Sequence, residues 1–345
     1  MRVMHVMAGA AEGGAENIML ESVLALAETG IDQHVVTRDN NQNRLTKYAE
    51  AGISFDIASF NRRWKFPTSG TIKKAIEQFK PDVIEYWMGR AGEFAPAAYR
   101  ERSIGWYGGY YKLSRFKNCA WHIGLTKDLL RHIREQGVSD DRSGIVHTYA
   151  DFTGAEPTPR ASLDTPEDAP VALALARLHE KKGLDTLLDA TVNVPGLYVW
   201  IAGDGPLEQE LKAHCTRNRL EDRVRFLGWR NDRGSLLAAC DFVAFPSRYE
   251  PFGTVTVDAW AASCPLVAAD AVGPAAYVED GVNGLLIPKN DVEALTTAMQ
   301  RVISEEGLAE TLVKGGRASY EAQFTKAAFV CDSRAFYQTI IDHAG

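Results

Sequence analysis

Apolar positions along this chain fall in short β-rich runs separated by longer stretches with a three-to-four-residue period, the pattern of βαβ units around parallel sheets. Two series of strands follow from it. The first predicts strands over Val3–Met7, His34–Thr37, Val83–Tyr86, Ile104–Tyr107, Trp121–Leu125 and Ile145–Thr148. The second predicts them over Ala172–Ala176, Tyr198–Ala202, Arg225–Leu227, Phe242–Phe245, Leu266–Ala269 and Gly284–Ile287. Between the series, TGAEPTPRASLDTPEDAP (Thr153–Pro170) is rich in Pro, Thr, Ser and acids and has no apolar period, so it reads as a linker or loop. The stretch from about Lys326 to His343 is an amphipathic helix with Phe329, Phe336, Tyr337 and Ile340 available to pack. The expected organisation is an α/β chain of two Rossmann-like parallel-sheet domains, 1–155 and 171–325, with a linker at 156–170 and a terminal helix at 326–345. Such sheets bind ligands outside the carboxyl ends of their strands, so a cleft between the domains is the default site.

A length of 345 residues suits two domains of about 150 residues each. The net charge of -7 argues against a nucleic-acid footprint, but it is unevenly divided. Residues 1–160 hold 21 Lys+Arg and 19 Asp+Glu, and the remainder holds 17 and 26, so the first half carries +2 and the rest -9. The first half is therefore the one expected to meet an anionic partner. Five widely spaced cysteines without a CxxC pair indicate neither a disulfide framework nor a zinc site, and they are expected to be buried free thiols. With no run of roughly 18 apolar residues and no signal-like start, the chain is expected in the cytoplasm.

Candidate chemistry sits at strand exits. After the first strand, Gly13 and Gly14 precede a helix whose first amides can receive an anion; the segment is not GxGxxG, so a dinucleotide reading lacks its fingerprint. Asp39 would serve a ribose only in that dinucleotide case. In ARLHEKKG (Ala176–Gly183), Arg177 and Lys182 suit a diphosphate, one as a fork and the other as a point charge. AGDGP (Ala202–Pro206) places Gly203 in a tight turn close to the cleft, a donor-binding candidate, before another helix. In RYEPFGTVTVDAW (Arg248–Trp260), Pro251 holds Glu250 extended, the amides of Gly253, Thr254 and Val255 open a helix toward an anion, and Asp258 lies about one turn further on. A sugar, a diphosphate and a ribose in a row would satisfy that arrangement.

Glu250 and Asp258, eight apart within PSRYEPFGTVTVDAWA, resemble the E-x7-E element of family 4 retaining glycosyltransferases with the GT-B fold. The resemblance extends through GGAE (Gly13–Glu16), ARLHEKKG, AGDGP and NDVEAL (Asn290–Leu295), covering nearly the whole chain. It implies a transferase moving a sugar from a nucleoside-diphosphate sugar to a glycan or lipid-linked acceptor in envelope polysaccharide or lipopolysaccharide synthesis. Arg177 and Lys182 would then hold the donor diphosphate, Glu250 the sugar hydroxyls, the amides of residues 253–255 the phosphate, and Asp258 the ribose diol. Gly14 would approach the diphosphate from the other domain, with closure over the donor, and the terminal helix would cross back to the first domain. Two departures stand out. Asp258 is one methylene shorter than the family's glutamate, and where the family shows a first-domain histidine this chain has SIGWYGGYY (Ser103–Tyr111), with Trp106 or Tyr107 in its place and Gly13 and Tyr107 facing the acceptor side. His122 and His147 are expected to be core or edge residues.

The absence of any DxD disfavours a bridging divalent ion, so no cofactor or metal is expected. FNRRWKFPT (Phe60–Thr68) and YYKLSRFKN (Tyr110–Asn118) pair cations with aromatics and suit either solvated loops or contact with anionic lipid headgroups. Rival readings are a sugar-nucleotide epimerase, a catalytically silent nucleotide-sugar binding protein and an NAD-dependent oxidoreductase.

Overall fold

The computed structural model describes residues 1–344, and the chain divides into two compact units. The first comprises residues 1–149 together with the chain from Lys326 onward; the second is 150–325.

In the first unit, β1 (Arg2–Met7), α1 (Gly14–Ala27), β2 (Asp32–Thr37), α2 (Gln42–Glu50), β3 (Ser54–Ile57), α3 (Lys65–Phe79), β4 (Val83–Trp87), α4 (Met88–Gly92), β5 (Ser103–Tyr107), β6 (Trp121–Gly124), α5 (Lys127–Glu135) and β7 (Ser143–Ile145) succeed one another. The strands form one parallel seven-stranded sheet in the order β3-β2-β1-β4-β5-β6-β7. Helix starts are fixed by side-chain caps where the sequence supplies them: Asn41 accepts from the Arg44 amide at 2.9 Å and Thr126 from the Leu129 amide at 2.9 Å.

The second unit runs β8 (Val171–Leu175), α6 (Leu184–Val192), β9 (Tyr198–Ala202), α7 (Glu208–Arg217), β10 (Val224–Gly228), α8 (Arg233–Ala239), β11 (Phe242–Phe245), α9 (Thr254–Ala261), β12 (Leu266–Ala269), α10 (Val272–Ala275), β13 (Leu285–Ile287), α11 (Val292–Ser304) and α12 (Leu308–Gln323). Its six parallel strands follow the order β10-β9-β8-β11-β12-β13. Because helices cover both faces, the central strand reads VALAL without alternation, and Leu173, Val199, Ile201 and Val243 are fully buried. Each such side chain contributes about 1.5–3 kcal/mol relative to exposure. A last helix, α13 (Lys326–Ala344), belongs to the first unit, where Tyr337 reaches the sheet and its hydroxyl donates to Glu85 Oε2 at 2.9 Å.

Two strands depart from the expected pattern. The strand at Ser54–Ile57 escaped the pattern because it is a four-residue edge strand, exposed at both ends. The strand expected at Ile145–Thr148 starts two residues earlier, at Ser143, because the ladder pairs His122 with Ser143. The stretch 156–170, expected as a linker or loop, is held to the second unit: Arg160 donates to the carbonyls of Glu167, Ala169 and Ala239 and pairs with Asp241, while Trp200 Nε1 donates to Thr165 Oγ1 at 3.0 Å. Among the cysteines, Cys119, Cys215 and Cys264 are buried free thiols as expected, whereas Cys240 is half-buried and Cys331 exposed.

Candidate active site

In the second unit the strand order reverses between β8 and β11, so the loops leaving these neighbours share one edge of the sheet. The loop after β8 carries Arg177 and Lys182; the loop after β11 carries Arg248 and Glu250. The two loops are tied together by main chain: the amide of Arg248 donates to Lys181 O at 2.8 Å, and that of Tyr249 to the same oxygen at 3.3 Å. The Arg248 side chain completes the tie, donating to Glu180 O at 2.6 Å, Asp185 Oδ2 at 2.6 Å, Thr186 Oγ1 at 3.0 Å and Asn290 Oδ1. The bonds to Glu180, Asp185 and Thr186 hold the chain on either side of Lys182 against the loop that carries Glu250. Sequence reading passed over Arg248, although it stands two residues before the acid.

The result is a direct pairing of the Lys182 ammonium with the Glu250 carboxylate, both side chains partly accessible. Arg177 is exposed, and its side chain forms no hydrogen bond or ion pair with the described residues. Gly203, expected in a ligand turn, packs loop on loop: at φ 150° its missing Cβ would stand 2.0 Å from Ala176 O, so no other residue fits between the exits of β8 and β9.

Past Glu250 the chain turns through Gly253 at φ 87°, a left-handed conformation that L side chains adopt only with strain. α9 begins there without a side-chain cap. The Thr256 amide closes on Gly253 O at 2.9 Å, while the amides of Thr254 and Val255 have no acceptor among the described residues. Uncapped amides at a helix start carry positive potential and receive anions. Asp258 lies in the same helix, buried at 7% exposure, with its carboxylate 3.6 Å from Arg233 Nε of α8; burial raises its pKa and the Arg233 charge opposes the rise. Arg233 also escaped sequence reading, since nothing in RNDRGS names a partner 25 residues on.

The remaining site residues lie in the first unit. Gly13 precedes α1 as its extended N-cap, and Glu16 folds back so that its Oε1 accepts the Ala10 amide at 2.7 Å. Gly14 has open space where a Cβ would go. Tyr107 is not an acceptor contact: it is fully buried, its ring 4.5 Å from that of Phe116, and burial raises its hydroxyl pKa. Trp106 is equally internal, stacked 4.5 Å from Trp87. His122 is a core residue whose pKa burial lowers to about 4, with the Arg100 charge pushing the same way, and it is neutral at physiological pH. Asp39 is exposed and accepts from Gln42.

The family model described as glycosyl transferases group 1 matches residues 156–319, the stretch holding every second-unit site residue named above. The chain is also 32% identical over 335 residues to the lipopolysaccharide core biosynthesis glycosyltransferase LpsE of Rhizobium meliloti, covering 95% of this chain and 96% of that one. The chain belongs to the group 1 glycosyltransferases. A second Rhizobium meliloti lipopolysaccharide core glycosyltransferase, LpsD, is 31% identical with 95% of each chain covered. Among solved structures, this glycosyltransferase superposes on Anabaena HepE in complex with UDP-glucose at a TM-score of 0.85, with 20% identity and 98% and 100% of the two chains covered. Together with the two parallel sheets, that likeness establishes the GT-B fold. No helix of the described glycosyltransferase is long and apolar enough to cross a membrane.

Proposed function

We propose that this glycosyltransferase moves a hexosyl group from a nucleoside-diphosphate sugar to a glycan or lipid-linked acceptor during assembly of envelope lipopolysaccharide or polysaccharide, with retention at the anomeric carbon and without a metal ion. The observation that carries the reading is the Lys182–Glu250 pair beside the open amides of Thr254 and Val255. It brings a cation, a carboxylate and a helix start together along one sheet edge. Support comes also from the printed roles of LpsE and LpsD and from HepE having been solved with UDP-glucose.

In this reading Arg177 and Lys182 take the diphosphate, and the two amides take the distal phosphate, doing the neutralising work a divalent ion does elsewhere. Glu250 accepts from sugar hydroxyls and holds the ammonium at the loop exit. Asp258 receives the ribose diol, oriented by Arg233. As the bond from the anomeric carbon to the phosphate oxygen breaks, the acceptor hydroxyl oxygen bonds to the same face of that carbon, and its proton passes to the departing phosphate oxygen. No side-chain base is required, which fits a chain with Trp106 and Tyr107 buried where a histidine was sought.

A melting-temperature screen against UDP-, GDP- and ADP-sugars in the presence of EDTA tests the donor assignment, because a ligand at 100 times its Kd stabilises by about 2.7 kcal/mol. Charge-assisted contacts contribute about 1.5–3 kcal/mol, so Lys182→Ala and Glu250→Ala are expected to stay folded with turnover reduced on the order of 10²-fold. Full activity in either removes the site assignment. Release of a free epimerised nucleotide sugar, with no acceptor consumed, would replace transfer by epimerisation.

The acceptor side is proposed to rest on anionic lipid at the inner face of the membrane. Trp64 is 71% and Phe66 91% exposed, flanked by exposed Arg63 and Lys65. Glu93 binds both Arg62 and Arg115, joining the two basic segments. Sedimentation with anionic vesicles at low salt should carry the protein down, and a Trp64→Ala, Phe66→Ala variant should partition roughly tenfold less. Wild type left in the supernatant sinks the idea.

A further inference from the structure

The first sheet reverses its strand order between β1 and β4, just as the second does between β8 and β11. Open parallel sheets receive ligands at that reversal, beyond the carboxyl ends of the strands. Arg38 directly follows β2, the segment Gly9–Gly14 follows β1, and Arg90 stands in α4, three residues beyond β4. Since β1 pairs with β2 on one side and β4 on the other, the two guanidiniums flank one loop.

Neither is neutralised. Among the described residues no carboxylate lies within 4.0 Å of Arg38 or Arg90, and the Arg90 side chain makes no hydrogen bond. Arg38 has one long bond, Nη1 to Gly9 O at 3.4 Å. The Nε atoms of both arginines are enclosed and have no acceptor. Burial first and the Arg90 charge second lower the pKa of Arg38. Neighbouring arginines behave differently: Arg44 spends its Nη2 on Ala10 O and Ala11 O, and Arg62 and Arg115 share Glu93. The chain also bends into place with strain, because Met88, a non-glycine, holds φ at 66° immediately before Gly89 and Arg90. Strained backbone of this kind persists where the surrounding fold imposes it, often beside ligands.

We propose that Arg38 and Arg90 form a receptor for an anionic oxygen group, a phosphate or carboxylate, on the acceptor. Two planar forks facing one loop match such oxygens in a bidentate manner, and an anion between them relieves the repulsion of the cations. The glycosyltransferase would thereby select an acceptor that is already phosphorylated or acidic, made by an earlier phosphoryl or uronosyl transfer. The word acceptor rests on the transferase reading above; the anion receptor does not.

The test titrates the full chain with inorganic phosphate, hexose 6-phosphate, hexuronate, neutral hexose and UDP at constant ionic strength, comparing wild type with Arg38→Gln, Arg90→Gln, Arg90→Lys and the double Gln variant. Hexose 6-phosphate should bind at least tenfold more tightly than neutral hexose, and each Gln change should weaken it roughly 10–100-fold. Arg90→Lys should retain part of the affinity, and UDP binding should stay within about twofold throughout. Without added anion the Gln variants should melt no lower than wild type, because the two arginines have no carboxylate partner and only the one long bond from Arg38 to Gly9 O to lose. Equal phosphate affinity in wild type and the double variant overturns the receptor. A matching loss of UDP affinity assigns the anion to the donor and overturns the acceptor role. Failure of wild type to bind any nucleotide or nucleotide sugar, with phosphate binding intact, instead overturns the transferase reading and upholds the receptor.

Discussion

Burial raises the pKa of Asp258 above its ordinary 3.8, and the Arg233 guanidinium 3.6 Å away opposes the rise without cancelling it. A carboxyl that holds its proton more tightly folded than unfolded favours folding while protonated. That contribution is complete below the unfolded pKa and is lost as pH rises through the higher folded value. Asp258→Asn removes this slope, so relative to wild type the variant should gain stability between pH 4 and pH 7 while its donor affinity falls about tenfold through loss of a hydrogen bond to the ribose. Melting curves across that range and a nucleotide-sugar titration check both halves; parallel stability curves would refute the buried-charge account. That Arg177, Lys182 and Glu250 stand on the loops leaving β8 and β11 was legible, because the strands on which those loops depend show in the apolar pattern. Arg248 and Arg233 were not, since the meaning of an arginine lies in its partners, and Asp185 stands 63 residues before Arg248. Tyr107 misled for a related reason: an aromatic ending a strand looks the same in sequence whether it faces solvent or, as here, Phe116 and His122.

Elements with full apolar runs, such as β8 and β9, could be placed from the pattern almost to the residue, because both of their faces are covered. The edge strands of the first sheet could not, for β3 and β7 have one neighbour each and carry polar positions. The Thr153–Pro170 stretch looked loose because its apolar content is low, yet Arg160 and Thr165 anchor it through hydrogen bonds, which leave no periodic trace. α13 shows the opposite case, a helix evident from its pattern whose polar anchor was invisible. Its Tyr337 hydroxyl reaches Glu85, which also lies 3.3 Å from His5 Nδ1, all of them buried. Tyr337→Phe would leave that carboxylate short of a donor, at a cost of about 1–3 kcal/mol. Denaturant titration should show the loss with turnover of the folded enzyme unchanged, and an unaltered midpoint would mean that the bond contributes nothing.

Across the whole molecule, the count of two α/β units was plain from the two strand series, but their true composition was less so. The first unit is discontinuous, taking its last helix from the far end of the sequence. Local periodicity reports what a segment becomes, and only tertiary partners such as Tyr337 and Glu85 report where it belongs. This has a bearing on biogenesis. At ribosomal rates of about 5–20 residues per second, roughly 10–35 s separate synthesis of Tyr149 from that of Lys326. Throughout that interval the nascent first sheet has Glu85 without its hydroxyl donor, and the second unit has time to mature first. The order of folding is thus expected to invert the order of translation, leaving the earlier-made half as the one that leans on chaperones.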